Sequence, residues 1–306
     1  MEIEIPKPFE EKYRKMLDEE YEKLKACLFV KPKKAIRVNR IKISREELVE
    51  RLRKKGMKLE QIPWYEDGFF VENGKDIGKT LEYFLGYYYI QEASSMIPPI
   101  ILDPKPKEKV LDLCAAPGSK TTQIAMLMKN SGVIVANDDN LERIKALRIN
   151  LQKMGVKNCI VTQEKGENFW KYGIKFDKVL VDAPCSGSGK IISSFSSIKL
   201  WSQANVKRLS SLQKKLLYSA SKCLKENGVL VYSTCSLDPE ENEEIIDFCV
   251  KNLDLTVEKI EMKNLNYREG ILEWEGKKFD ESVRKAMRIF PFDNFTEGFF
   301  ICKLRK

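Results

Sequence analysis

The chain has 306 residues, enough for one large domain and a smaller one, and its 43% hydrophobic and 32% charged residues are those of a globular protein. No apolar run approaches the roughly 18 residues of a membrane span, the charged start MEIEIPKPFEEKYRK does not read as a signal peptide, and eight scattered cysteines without a CxxC pair suggest neither a zinc site nor a disulfide framework, so a cytoplasmic, metal-free protein is expected. Histidine is absent, which excludes a Ser/His/Asp triad, a Cys/His dyad and histidine-ligated metal catalysis, while the net charge of +9 leaves a polyanionic partner open.

Phe9, Tyr13, Leu17, Tyr21, Leu24 and Leu28 recur every three or four positions and predict one amphipathic helix over 9–28. AIRVNRIKI alternates as a strand does. SREELVERLRKKG opens on a serine cap with an acid three residues on and stops at Gly56, as a helix does, and DGFFVENG reads as another short strand. Residues 1–92 thus form a small α+β unit. Its basic face, with Lys31, Lys33, Lys34, Arg37, Arg40 and the cluster at 51–55, is either a phosphate contact or a solvated surface.

After the proline- and lysine-rich connector GYYYIQEASSMIPPIILDPKPKEK the pattern changes. The apolar runs KVLDLC, GVIVAN, NCIVTQ, FDKVLVDA and GVLVYSTC are separated by helical stretches, which implies an α/β fold with a mostly parallel sheet over residues 93–306. AMRIFPFDN and EGFFICKLRK read as two closing strands. In such sheets ligands sit at the carboxyl ends of the strands, where CAAPGSK, DAPC and STC all fall.

The loop Cys114, Ala115, Ala116, Pro117, Gly118, Ser119, Lys120 follows the first of these strands and opens a helix, so its backbone N–H groups suit a polar or anionic ligand group. It is neither a GxGxxG fingerprint nor a P-loop. Asp138 closes the next strand, where a carboxylate can accept from two ribose hydroxyls, or else cap the helix behind it, a task open to Asp139 or Asn140. A nucleoside without a pyrophosphate is expected, S-adenosylmethionine being the common one; Arg143 is placed with the cofactor-facing residues.

DLCAAPGSKTTQIA, VDAPCSGSG, LVYSTCSLDPEENE and EGFFICKLRK, in that order, resemble the NOL1/NOP2/Sun family of RNA cytosine-5 methyltransferases over most of residues 86–304. The resemblance implies a Rossmann-like class I S-adenosylmethionine-dependent methyltransferase fold behind an RNA-binding N-terminal unit. It also implies the chemistry. A thiolate added at C6 of cytosine makes C5 nucleophilic toward a methyl group, after which the C5 proton leaves and the thiolate is expelled. The residues alone leave Cys185 and Cys235 interchangeable; the resemblance gives the attack to Cys235 and product release to Cys185. Asp182 is expected to hold the N3 and N4 edge of the base and to face the cofactor as well. Lys120 either pairs with Asp182, approaches the nucleotide or is an ordinary first-turn lysine. With no histidine, water is expected to take the C5 proton.

Two segments depart from the family pattern: Lys165 stands where an acidic residue commonly lies near the adenine, and IISSFSSIKLW replaces an Arg/Asn/Pro-containing segment. Cytosine C6 is hidden in a duplex, so an unpaired or flipped nucleotide of folded RNA is the expected substrate. The short chain favours tRNA, with rRNA next, and a monomer.

Overall fold

The computed structural model describes residues 5–72 and 76–306. The N-terminal part builds an antiparallel sheet of β1 (Lys34–Val38), β2 (Lys58–Gln61), β3 (Gly68–Glu72) and β4 (Tyr88–Ile90), in the order β2-β3-β1-β4. The expected helix after Ser44 spans Arg45–Lys54: the serine hydroxyl accepts the Glu47 N–H at 3.2 Å, and Leu48 and Leu52 bury against Ile36, Val38, Phe69 and Val71. Only the first half of AIRVNRIKI is a strand. Asn39 ends it by donating its side-chain amide to the carbonyls of Gly86 and Met154, both at 2.8 Å. Asn73 and Gly74, at the end of the expected strand DGFFVENG, lie outside the described residues.

Two expectations are corrected. The helix over 9–28 is two helices, Lys7–Leu17 and Tyr21–Ala26, joined by a tight turn because Asp18 takes a left-handed conformation with φ +49°. The bend lets Phe9, Tyr13, Leu17, Tyr21 and Leu24 follow a curved surface formed by Ile191, Ile198, Trp201, Leu237 and Phe290, far along the chain. Arg37 is not on a basic face. The alternation of β1 turns it inward, fully buried, where Nε donates to Gln91 Oε1 at 2.8 Å and Nη2 to Thr122 Oγ1 at 2.7 Å.

The remainder forms a nine-stranded sheet from β5 (Lys109–Asp112), β6 (Val133–Asp138), β7 (Cys159–Gln163), β8 (Phe176–Asp182), β9 (Leu224–Thr234), β10 (Thr256–Glu258), β11 (Arg268–Glu269), β14 (Met287–Ile289) and β15 (Phe299–Arg305); β12 (Glu273–Trp274) and β13 (Lys277–Lys278) make a separate ribbon. Strands β7, β6, β5, β8 and β9 are parallel neighbours in that order, and β15 runs antiparallel to β9. Alternate residues of these strands enter different cores. Leu111, Val179, Val181 and Leu230 pack against the helices Gln203–Cys223 and Glu243–Asn252, whereas Val110, Ile134, Leu180 and Val231 pack against Ile97–Leu102 and Ser119–Leu127. The chain runs outward from β5 to β7 and then returns to lay β8 on the other side of β5. In sheets with such a reversal, ligands bind beyond the carboxyl ends of the strands that flank it, here β5 and β8. Among the described residues no helix is long and apolar enough to cross a membrane.

Candidate active site

Strands β8 and β9 pair with Asp182 opposite Ser233. Cys185 lies three residues beyond the first and Cys235 two beyond the second, so the two thiols leave adjoining strand ends and their sulfurs meet at 3.1 Å. The contact is held from behind. Gly189 N–H donates to the Cys235 carbonyl at 2.9 Å and Gly298 N–H to the Gly189 carbonyl at 2.8 Å. A Cβ on Gly189 would lie 2.4 Å from the Gly298 oxygen and 2.7 Å from the Cys235 oxygen, so only glycine permits this approach. The hydrogen bond to Cys235, reinforced by burial, pushes the Cys185 thiol well above its ordinary value. Either sulfur can donate in this contact.

Both carboxylate oxygens of Asp182 are engaged: Oδ2 accepts from Lys120 Nζ at 2.7 Å and Oδ1 from Ser233 Oγ at 2.8 Å. Lys120 Nζ also donates to Ser95 Oγ at 3.1 Å. Of the three alternatives for Lys120 the structure supplies the pairing with Asp182, which offsets the unfavourable place of a cation in the first turn of Ser119–Leu127. Ser95 and Ser233 were not singled out from sequence. The β8–β9 register would reveal Ser233, whereas nothing in the connector marks Ser95.

Beneath the thiols is a buried polar cluster in which the acids of LDPEENE act as struts. Asp238 Oδ2 accepts from Ser186 Oγ, Ser188 Oγ, Ser236 Oγ and Trp201 Nε1 at 2.8–3.1 Å, and Oδ1 takes Lys12 Nζ at 2.6 Å. Burial alone would raise the Asp238 carboxyl, yet the Lys12 ammonium and these donors hold it below the usual range. Glu241 accepts the Ser186 N–H at 3.0 Å and is pushed up to about 7 by burial and by Asp238. Asn242 receives Thr234 Oγ1 at 2.6 Å and donates to the Ser236 carbonyl at 2.9 Å. Glu243 pairs with buried Arg288, which donates to the Leu237 carbonyl at 2.7 Å. The segment IISSFSSIKLW buries Ile191, Ile192, Ile198 and Trp201 in the same region.

The loop 114–120 lies beyond β5. Gly118 takes φ +102° against Leu147, and the first helical turn leaves the N–H groups of Ser119, Lys120 and Thr121 without intrahelical acceptors. Asp138 holds the loop: Oδ2 accepts the Ala116 N–H at 3.1 Å and lies 3.4 Å from Arg143, whose guanidinium donates to the Ala116 carbonyl. The helix behind it, Leu141–Met154, is capped by Asn140, leaving Asp138 free of that task. Asp112, under the loop, accepts from Thr121 Oγ1 at 2.7 Å and is pushed up to about 7 by burial. Lys165 is exposed; the neighbouring acid, Glu164, accepts from the Tyr172 hydroxyl at 2.9 Å. Free backbone donors on one side and a carboxylate at the end of β6 on the other fit the amino-acid and ribose ends of S-adenosylmethionine.

Residues 99–305 match the family described as 16S rRNA methyltransferase RsmB/F, and residues 5–93 the N-terminal domain of 16S rRNA methyltransferase RsmF. The chain is 45% identical over 304 residues to a tRNA (cytosine(49)-C(5))-methyltransferase of Pyrococcus abyssi, covering 99% of this chain and 96% of that one. It is 41% identical over 280 residues to ribosomal RNA small subunit methyltransferase F of Vibrio atlanticus, covering 90% of this chain and 58% of that relative. Among solved structures it resembles a methyltransferase homolog protein from Pyrococcus horikoshii, with a TM-score of 0.88 and 38% identity over 97% of this chain and 93% of that one. It also resembles NSun6 from Pyrococcus horikoshii with SFG, with a TM-score of 0.86 and 26% identity over 98% of each chain. The thiol pair and the loop 114–120 lie within a match that runs over nearly the whole chain, and that match is to NOL1/NOP2/Sun enzymes: the chain belongs to the RsmB/F family of S-adenosylmethionine-dependent RNA methyltransferases.

Proposed function

We propose that the enzyme methylates C5 of a cytosine in folded RNA, with tRNA as the substrate, through a temporary bond between Cys235 and C6 of the base. The observation that carries this reading is the 3.1 Å contact between Cys185 and Cys235 beside Asp182. The geometry brings both sulfurs to one place and the resemblance gives the attack to Cys235; the upward displacement of the Cys185 thiol by its hydrogen bond to Cys235 and by burial is consistent with that division.

Asp182, steadied by Lys120 and Ser233, is 29% exposed and can face the N3 and N4 edge of the base. There it accepts from the N4 amino group and from a solvent proton taken up at N3, which leaves the ring neutral when the Cys235 thiolate adds at C6. Residues 114–120, Asp138 and Arg143 would hold S-adenosylmethionine, which would supply an electrophilic methyl carbon, its sulfonium becoming a neutral thioether as the methyl group leaves. Once C5 carries the methyl group, water takes the C5 proton, the C5–C6 double bond re-forms and the Cys235 thiolate leaves. Cys185 assists that release from its position against the departing sulfur.

The Pyrococcus abyssi relative that acts on tRNA matches this chain end to end, whereas the Vibrio relative is much longer, which favours tRNA over rRNA. The N-terminal unit would grip the RNA backbone, and the enzyme would work as a monomer in the cytoplasm. Bisulfite sequencing of unmodified tRNA and rRNA transcripts after incubation with S-adenosylmethionine tests substrate and atom together. Protection of a tRNA cytosine is expected; protection confined to rRNA would move the reading to that substrate, and methylation elsewhere than C5 would end it.

A further inference from the structure

Glu92 lies two residues beyond β4, in the connector between the two sheets, and its carboxylate is bonded on both edges. Oε2 accepts the N–H groups of Ser94 and Ser95, at 2.7 Å and 3.1 Å, and the Ser94 hydroxyl; Oε1 accepts the Glu297 N–H at 3.1 Å. From each edge a path of hydrogen bonds reaches a different wall of the active site. On one, Ser95 Oγ receives Lys120 Nζ, which in turn holds Asp182. On the other, Gly298, next after Glu297, donates to the Gly189 carbonyl, and Gly189 donates to the carbonyl of Cys235.

We propose that Glu92 is a positioning residue for methyl transfer, one carboxylate that fixes the Lys120–Asp182 pair and the Cys235 loop relative to one another. The two walls come from distant parts of the chain, and the sheet alone does not set their spacing, because Lys120 rides on a helix and Glu297 on the loop before β15. An error of about 1 Å between base-holding and attacking groups costs on the order of a hundredfold in rate. Glu92 acts here on Lys120, Asp182 and Cys235, so its role rests on the reaction proposed above.

The ionised carboxylate holds these four donors most strongly, since a proton on it weakens both oxygens as acceptors. Burial, with the Glu297 carboxylate beside it, pushes Glu92 up to about 7. Lys33, Lys34 and Lys79 line with it a cavity of about 490 Å³, and Lys120 lies beyond Ser95. Below neutral pH the wild-type protein therefore approaches the state of a neutral variant.

The test compares Glu92→Gln, Ser95→Ala and the double variant with the wild type in single-turnover methylation of a tRNA transcript, beside calorimetric binding of S-adenosylmethionine. Glu92→Gln is expected to keep its cofactor affinity and to lose roughly tenfold or more in turnover at about pH 8.5, the gap closing toward about pH 5.5. Ser95→Ala loses less, and the double variant no more than Glu92→Gln alone, because both act on one path. A wild-type to Glu92→Gln ratio that stays constant with pH, or losses that add, overturns the proposal. If Glu92→Gln does not fold, Ser95→Ala decides: unchanged turnover overturns the role and reduced turnover with unchanged RNA KM supports it. A wild type that places no methyl on C5 refutes the proposed function itself, a result distinct from any of these.

Discussion

The sulfurs of Cys185 and Cys235 touch although fifty residues separate them, because two parallel strands end side by side with Asp182 opposite Ser233. The proposed reaction divides between them, Cys235 bonding to the base and Cys185 assisting its release. Cys235→Ala is expected to abolish both methylation and any RNA adduct that survives denaturation. Cys185→Ala is expected to let that adduct accumulate, seen as a slow band on a denaturing gel with labelled RNA. The opposite pattern would exchange the two roles.

Asp138 joins the loop 114–120 to the end of β6 through the Ala116 N–H, and its other oxygen accepts the Asn140 N–H at 3.1 Å. Asn at this position must turn an amide N–H₂ toward one of those donors. Asp138→Asn should weaken S-adenosylmethionine binding by about ten- to hundredfold, as expected for loss of charged hydrogen bonds worth roughly 1.5–3 kcal/mol. Titration calorimetry measures the change, and RNA affinity should stay as it is.

Gly189→Ala presses a methyl group onto two backbone carbonyls, one of them that of Cys235. A stability loss of about 1–3 kcal/mol is expected from the overpacking. Turnover should fall far more than cofactor affinity, since the displaced group is the loop that carries Cys235 and not residues 114–120. Equal losses in both would show that the loop does not move separately.

Asp112 is fully buried beneath the loop 114–120 with its ionisation displaced upward, to about 7 from 3.8. Between those values the folded protein binds the proton that the unfolded chain releases, so stability is greatest at low pH and declines as pH rises toward 7. Above that the penalty is constant. Asp112→Asn, which keeps an acceptor for Thr121, should therefore melt higher than wild type at pH 8, with the advantage shrinking toward pH 4, as followed by circular dichroism.

The parallel strands were legible because strands covered on both faces are continuous apolar runs, and the loops at their carboxyl ends stood out by their residue types. The two-residue strands β11, β12 and β13 carry no such signal and exist only through their partners. The break at Asp18 was hidden because the apolar period runs through it unchanged. Within the site the thiols, Asp182 and the loop were visible, while their supports were not. Glu241, Asn242 and Glu243 read as a family mark, and nothing in an acid's letter says that it will be buried against serine hydroxyls or an arginine. Glu92, Ser95 and Lys12 escaped notice because each acquires meaning only from a residue distant in the chain.

The tie between Lys12 and Asp238 has a practical corollary for chimaeric enzymes. The segment 7–29 lies against Trp201 and Leu237, so it travels with the catalytic half and not with the β1–β4 sheet that follows it. Removing residues 1–92 would strip the Lys12 ammonium from beneath the thiol loop and leave the buried Asp238 without its cation. Grafts that begin near Val30 and end at Gln91 would leave that foundation in place.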